Sequence, residues 1–256
     1  MSIRPYALTY PQLMNQALAQ GSPEPDLARL SSACGHAEGF LDGMYRGQGV
    51  PFLCHSVRTA SIVLTECQPT DVVIASLLHA VYMMGMFSDR EVGNPTPHHR
   101  EEVRRAAGEA VEQWIIDYDR LPWREAGAVA AHVRQLPSYP ERTRRLLTMR
   151  LANELEDYLD GALAFRGGDP LRERAAAGRR EAAGLATALG LDRLAGELRE
   201  AMEAAGQAHP PGWARRQPCF AYEHPAHKRL RVGWRQRLRS RLQRAKRSLT
   251  QRHAAH

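Results

Sequence analysis

The chain is poor in the residues that build sheets and covalent staples. Its four cysteines, Cys34, Cys54, Cys67 and Cys219, form no CxxC pair, so reduced thiols in a cytoplasmic protein are expected. Aromatics make up only 7% of the residues, and runs of Val, Ile, Thr and aromatic side chains are few, which argues against a strand-rich fold. No stretch reaches the roughly 20 uninterrupted apolar residues of a spanning helix. The N-terminus shows no basic segment followed by an apolar run of signal-peptide length. Any membrane contact is therefore expected at the surface, on the inner face. Acidic residues are absent from Lys228 to Arg252, where eleven of the 35 basic residues are concentrated. The rest carries 24 basic against 28 acidic residues, so the formal net charge of +7 belongs to the tail, and any electrostatic partner is assigned there.

What is present is 43% apolar residues, many of them Ala and Leu, in a chain long enough to bury a helical core. Tyr10 to Ala19 carries apolar residues at helical spacing and stops at Gly21-Ser22-Pro23. Asp26 is placed to cap a helix running to Met44, which breaks at Gly47 to Pro51. A helix is expected from Phe52 to Glu66. The apolar run Val72 to Met84 is too long for a strand and implies one helix buried nearly all round, central to the domain. A polar loop over Phe87 to His99 precedes helices at Arg100 to Asp117, Trp123 to Arg134 and Pro140 to Phe165. Leu171 to Ala205 reads as helical, interrupted near Gly190, and His209 to Pro225 as a Pro-rich arm. The expected architecture is all-α, with a helical domain over residues 1–170, a helical extension and arm over 171–226, and a basic amphipathic helix or tail over 227–256.

Two segments carry the chemistry. Tyr45-Arg46-Gly47-Gln48-Gly49-Val50-Pro51-Phe52 leads to His55, and 24 residues later comes Leu77-Leu78-His79-Ala80. Together they resemble the framework of HD-type phosphohydrolases, in which two histidines and two aspartates from separate helices hold divalent metal. Over about residues 27–165 the chain resembles the hydrolase domain of the RelA/SpoT family, which handles the alarmone ppGpp. That resemblance implies an HD-like helical bundle, with His55 and His79 at the two histidine ligands and Arg46 at a basic residue that packs against the nucleotide. Ala80 stands where the metal-binding aspartate belongs, and Met83 and Met84 where an acidic pair belongs. Within Arg150 to Asp157, Asn153 replaces the last aspartate ligand and Asp157 falls one turn further on. The segments also resemble an HD-like bacterial family in which His-Ala replaces His-Asp, which implies no activity.

Two neutral imidazoles and an amide attract a hard divalent cation far less than two imidazoles and two carboxylates. No metal or other cofactor is therefore expected; were a divalent metal held, His55, His79 and Asp157 would hold it, with Glu154 or the His98-His99 pair as substitutes. The candidate ligand-binding residues are Arg46, His55, Arg58, His79, Asn153 and Asp157. Glu156 and Asp160 read as a solvated helix face, Arg58 equally as a solvated charge, and the methionines as core. The leading function is a catalytically degenerate HD-like protein that binds a small phosphorylated or nucleotide ligand or serves as a regulatory accessory. The alternatives are a phosphohydrolase with substituted ligands and a peripheral membrane protein. For the last, residues 228–249 form a helix whose apolar stripe includes Leu230, Trp234, Leu238 and Leu242, suited to an anionic membrane surface. The same charge allows nonspecific nucleic-acid binding or docking on the acidic body.

Overall fold

A computed structural model describes residues 6–46, 49–123, 125, 127–161 and 181–214, together with the backbone of 221–223 and 229–231. The fold is all-α, as the scarcity of strand-forming runs predicts. α1 (Tyr10–Ala19) and α2 (Glu24–Leu41) lead to a two-residue strand, β1 (Met44–Tyr45), and then to α3 (Phe52–Thr65) and α4 (Thr70–Leu78). Pro23 and Pro51 take the extended backbone that precedes α2 and α3. Asp26 thus lies inside the first turn of α2 rather than at its cap, where its charge still suits the helix dipole.

α4 is the centre of the molecule, as its unbroken apolar sequence requires. Every residue from Val72 to Leu78 is buried, and α2, α3 and two later helices, Glu109–Arg120 and Glu141–Tyr158, surround it. The run does not continue as one helix to Met84, however. α4 ends at His79, whose ring Nδ1 lies 2.6 Å from the Ser76 carbonyl oxygen. Ala80 starts a separate single turn, α5 (Val81–Met84). The loop after α5 folds back on it: the Asn94 amide donates to the Tyr82 carbonyl at 2.8 Å. A Cβ on Gly93, whose φ is +67°, would stand 2.9 Å from the Met83 carbonyl oxygen, so glycine is needed there. The fold-back buries Met84 and leaves Met83 at 43% exposure, so Met83 is not core as expected.

The helix expected over Arg100 to Asp117 is also two helices, α6 (Pro97–Ala107) and α7 (Glu109–Arg120), broken where Gly108 takes a φ of +91°. Across the break Arg100 donates to fully buried Glu112 from Nε at 2.7 Å and from a terminal nitrogen at 2.9 Å, and the Tyr82 hydroxyl donates to it at 3.0 Å. α8 (Ala128–Gln135) is shorter than its predicted span. α9 (Glu141–Tyr158) ends well before Phe165, where Asp160 and Gly161 both adopt positive φ.

The extension contributes α10, whose described residues are 181–188, and α11 (Asp192–Gln207). α11 packs along α9 and buries Leu194, Leu198 and Met202 in the same apolar core as α3 and α4. Arg193 ties α11 back to Glu66 at the end of α3 and, at 2.6 Å, to the Tyr6 hydroxyl. Two further strands, β2 (Ala221–Glu223) and β3 (Arg229–Arg231), extend β1 into a small antiparallel sheet in the order β1-β2-β3, with Met44 opposite Tyr222 and Tyr45 opposite Ala221. Arg229 to Arg231 is thus strand where a helix over 228–249 was expected, because its backbone pairs with β2. The rest of that basic tail, Trp234 included, lies outside the described residues. No described helix is long and apolar enough to cross a membrane.

Candidate functional site

The site forms where α3, α4 and α9 meet beside β1. His55 lies in the first turn of α3, and His79 caps the C-terminal end of α4. Both are buried and belong to consecutive long helices, as the resemblance to HD proteins implied. Their Nε2 atoms face each other at 3.2 Å, with ring centroids 5.1 Å apart. Tyr118 of α7 stacks edge-on against His79, and the Arg150 guanidinium lies 3.7 Å over the Tyr118 ring.

The third helix supplies a residue that its acidic neighbours disguise as part of a solvated face. Glu156, 4% exposed, contacts His55 Nδ1 with a carboxylate oxygen. It belongs to the buried stripe of α9, since Met149, Ala152 and Glu156 repeat at three and four residues and are all buried. That periodicity was the available signal. Asn153 does not meet the histidines: it is half-buried, and no hydrogen bond joins it to either imidazole. It lies on the same stripe of α9 as Arg150 and Asp157.

Arg46 closes the cluster. It follows β1, and its backbone is fixed by a turn in which its amide donates to the Val50 carbonyl at 2.8 Å and its carbonyl accepts from Gly49 at 2.8 Å. Its guanidinium donates to Glu156 at 2.8 Å, lies 2.9 Å from His55 Nδ1, and is paired with Asp157. Arg58, one turn beyond His55, pairs with Asp160 at 2.7 Å rather than with either histidine.

Burial dominates the protonation of these groups. It pushes the His79 pKa down to about 3, reinforced by His55 and by Arg150. Burial, then the Arg46 charge, holds His55 well below its ordinary value. Both rings are neutral near pH 7. Burial also raises the Glu156 carboxyl, against the pull of Arg46. Burial acts to lower the Arg46 pKa as well, but Asp157 and then Glu156 outweigh it and hold it above its usual value. Because His79 Nδ1–H donates to the Ser76 carbonyl, its Nε2 carries a lone pair aimed at His55. His55 can donate from Nε2 to that lone pair while its Nδ1 accepts from the Arg46 guanidinium.

A hard divalent metal requires charged oxygen or nitrogen donors converging on one point. The 3.2 Å between the two Nε2 atoms is near the ~3.4 Å that two imidazoles on one tetrahedral zinc would keep. The charged donors are misplaced. Ala80 offers a methyl group, and Glu156 meets His55 at Nδ1, on the other side of the ring from the Nε2 pair. His55, Glu156 and Asp157 place ligand-type atoms within 4.8 Å of one another, but the Arg46 guanidinium already contacts all three. The residues do not fit a hard divalent cation. The substitutes named from sequence lie elsewhere: Glu154 accepts from Trp123 Nε1 at 3.2 Å, His98 is 2.9 Å from Glu102, and His99 bonds Asp89 and stacks on Phe87.

No family model and no curated protein matches the sequence. Among solved structures, the chain is similar to one described as a metazoan ortholog of SpoT that hydrolyzes ppGpp and plays a role in starvation responses. The sequence identity is 18% and the TM-score 0.48, over 71% of this chain and 97% of that chain.

Proposed function

We propose that the chain is a catalytically degenerate HD-like protein, of the kind in which His-Ala has replaced His-Asp, that binds a small phosphorylated ligand without hydrolysing it. The observation that carries this reading is the Arg46 bridge. An arginine from the segment that packs against nucleotide in RelA/SpoT hydrolases here neutralises the acids that α9 contributes, so the cluster holds its charge without a metal. Phosphoester hydrolysis of the HD kind uses a metal to generate hydroxide near neutral pH. Two imidazoles that stay neutral near pH 7 and an engaged carboxylate pair do not replace that step. Binding needs only cationic donors of fixed geometry, and Arg46, Arg58 and Arg150 surround the ring pair.

The test is to incubate the full chain with ppGpp and manganese and follow the phosphorus resonances. The expected result is ppGpp that is bound and stays intact. Turnover that is lost in His79→Ala would favour the phosphohydrolase with substituted ligands.

A further inference from the structure

Arg58 and Asp160 form an unequal pair. The Arg58 side chain is 12% exposed and that of Asp160 is 60% exposed, at 2.7 Å from each other. Asp160 can leave for water at little cost, whereas a mostly buried guanidinium cannot hydrate and needs an anion. Asp160 is its one carboxylate partner among the described residues. Arg46 shows the same pattern less strongly, at 15% exposure against 24% for Asp157. Asp157, in the last turn of α9, and Asp160, just past its end, are three residues apart, so two neighbouring carboxylates face two arginines, one following β1 and one on α3. Asp160 reaches Arg58 from the left-handed region, with a φ of +59° just past the helix end. The contact therefore sits on a chain reversal rather than inside the rigid helix.

We infer that Arg46 and Arg58 together bind a doubly charged phosphate-class group, and that Asp160 is the internal anion this group displaces. The inference rests on the reading of the cluster as a binding site for phosphorylated ligands and adds to it the second anchoring cation and the competitor. A guanidinium engages two phosphate oxygens in the fork it offers a carboxylate. Two arginines favour a dianion over a monocarboxylate. When Asp160 leaves, its carboxylate gains water and the ligand oxygens take its place on Arg58.

The experiment is calorimetric titration of inorganic pyrophosphate into the full chain and two variants. Asp160→Asn keeps the size and tolerates positive φ but removes the competing charge. Its Kd should tighten by about two- to fivefold, the worth of an exposed ion pair. Arg58→Ala should weaken binding by about tenfold or more, the worth of a charge-assisted hydrogen bond. Binding in Asp160→Asn where the wild type shows none would support the inference equally. If pyrophosphate binds the wild type with a Kd that neither variant changes, the role of Arg58 and Asp160 is overturned and the binding function stands. If neither the wild type nor Asp160→Asn binds, both fail.

Discussion

Replacing Arg46 by alanine perturbs the site most selectively, because it removes one cation from three partners and leaves the helices intact. In the native chain Glu156 is 4% exposed and Asp157 24%, and both lean on this guanidinium. Asp157 can recruit water, whereas Glu156 cannot. Breaking a buried pair by removing one partner costs about 3–5 kcal/mol. Protonation of Glu156 limits that cost, because its carboxyl is already pushed upward by burial and rises further without Arg46. The loss should therefore depend on pH. At pH 8 protonation is expensive and a loss of about 3 kcal/mol is expected, a fall in Tm of roughly 6–12 °C for a chain of this size. At pH 5.5 protonation is cheap and the gap to wild type should shrink to less than half. Calorimetric melts of both proteins at both pH values measure this; because Arg46 also depresses the His55 pKa, its removal eases the histidine penalty at low pH and narrows the gap in the same direction. Arg46→Ala combined with Glu156→Gln should recover most of the loss at pH 8, since the stranded charge is gone. A loss below about 1 kcal/mol at pH 8, or one that does not change with pH, would refute the idea that Arg46 neutralises a buried acid.

Two further predictions follow from the buried ionisable groups. The His79 pKa is about 3 in the fold against about 6.5 unfolded, so its contribution is complete above pH 6.5 and is lost as pH falls through that window. By pH 5 the loss is about 2 kcal/mol. His55 acts with the same sign, and Glu156, whose raised pKa favours the protonated folded state at low pH, partly offsets them. His79→Gln should therefore flatten the fall of Tm between pH 7 and pH 5, and an unchanged slope would contradict the assignment. Glu112→Ala strands Arg100, Arg104 and the Tyr82 hydroxyl around a fully buried position. It should cost about 2–4 kcal/mol, read as a lower urea midpoint with an unchanged slope.

The sequence revealed much of the helical frame and little of how the site is wired. α1 and α3 emerged with nearly correct limits because their apolar residues repeat cleanly and Gly or Pro closes them. The two broken helices did not. Gly108 reads as an ordinary glycine unless its positive φ is known, and the stop at His79 comes from a ring bond to Ser76 that no periodicity encodes. His55 and His79 were found because the resemblance named them. Glu156 was passed over because Glu154, Glu156, Asp157 and Asp160 form a dense acidic run, and exposure separates them only after α9 has docked on α3. Arg46 is legible as a pocket residue, but its partner is not, since Glu156 lies 110 residues away. Long-range ion pairing of this kind leaves no local pattern, and it decides what the site can hold.

That decision is tested most directly by metal stoichiometry. The full-length chain is dialysed against micromolar manganese, then against metal-free buffer, and its metal content is measured. With Arg46 already bridging Glu156 and Asp157, the protein should retain well under one equivalent. One equivalent of tightly held manganese in the wild type would contradict the account.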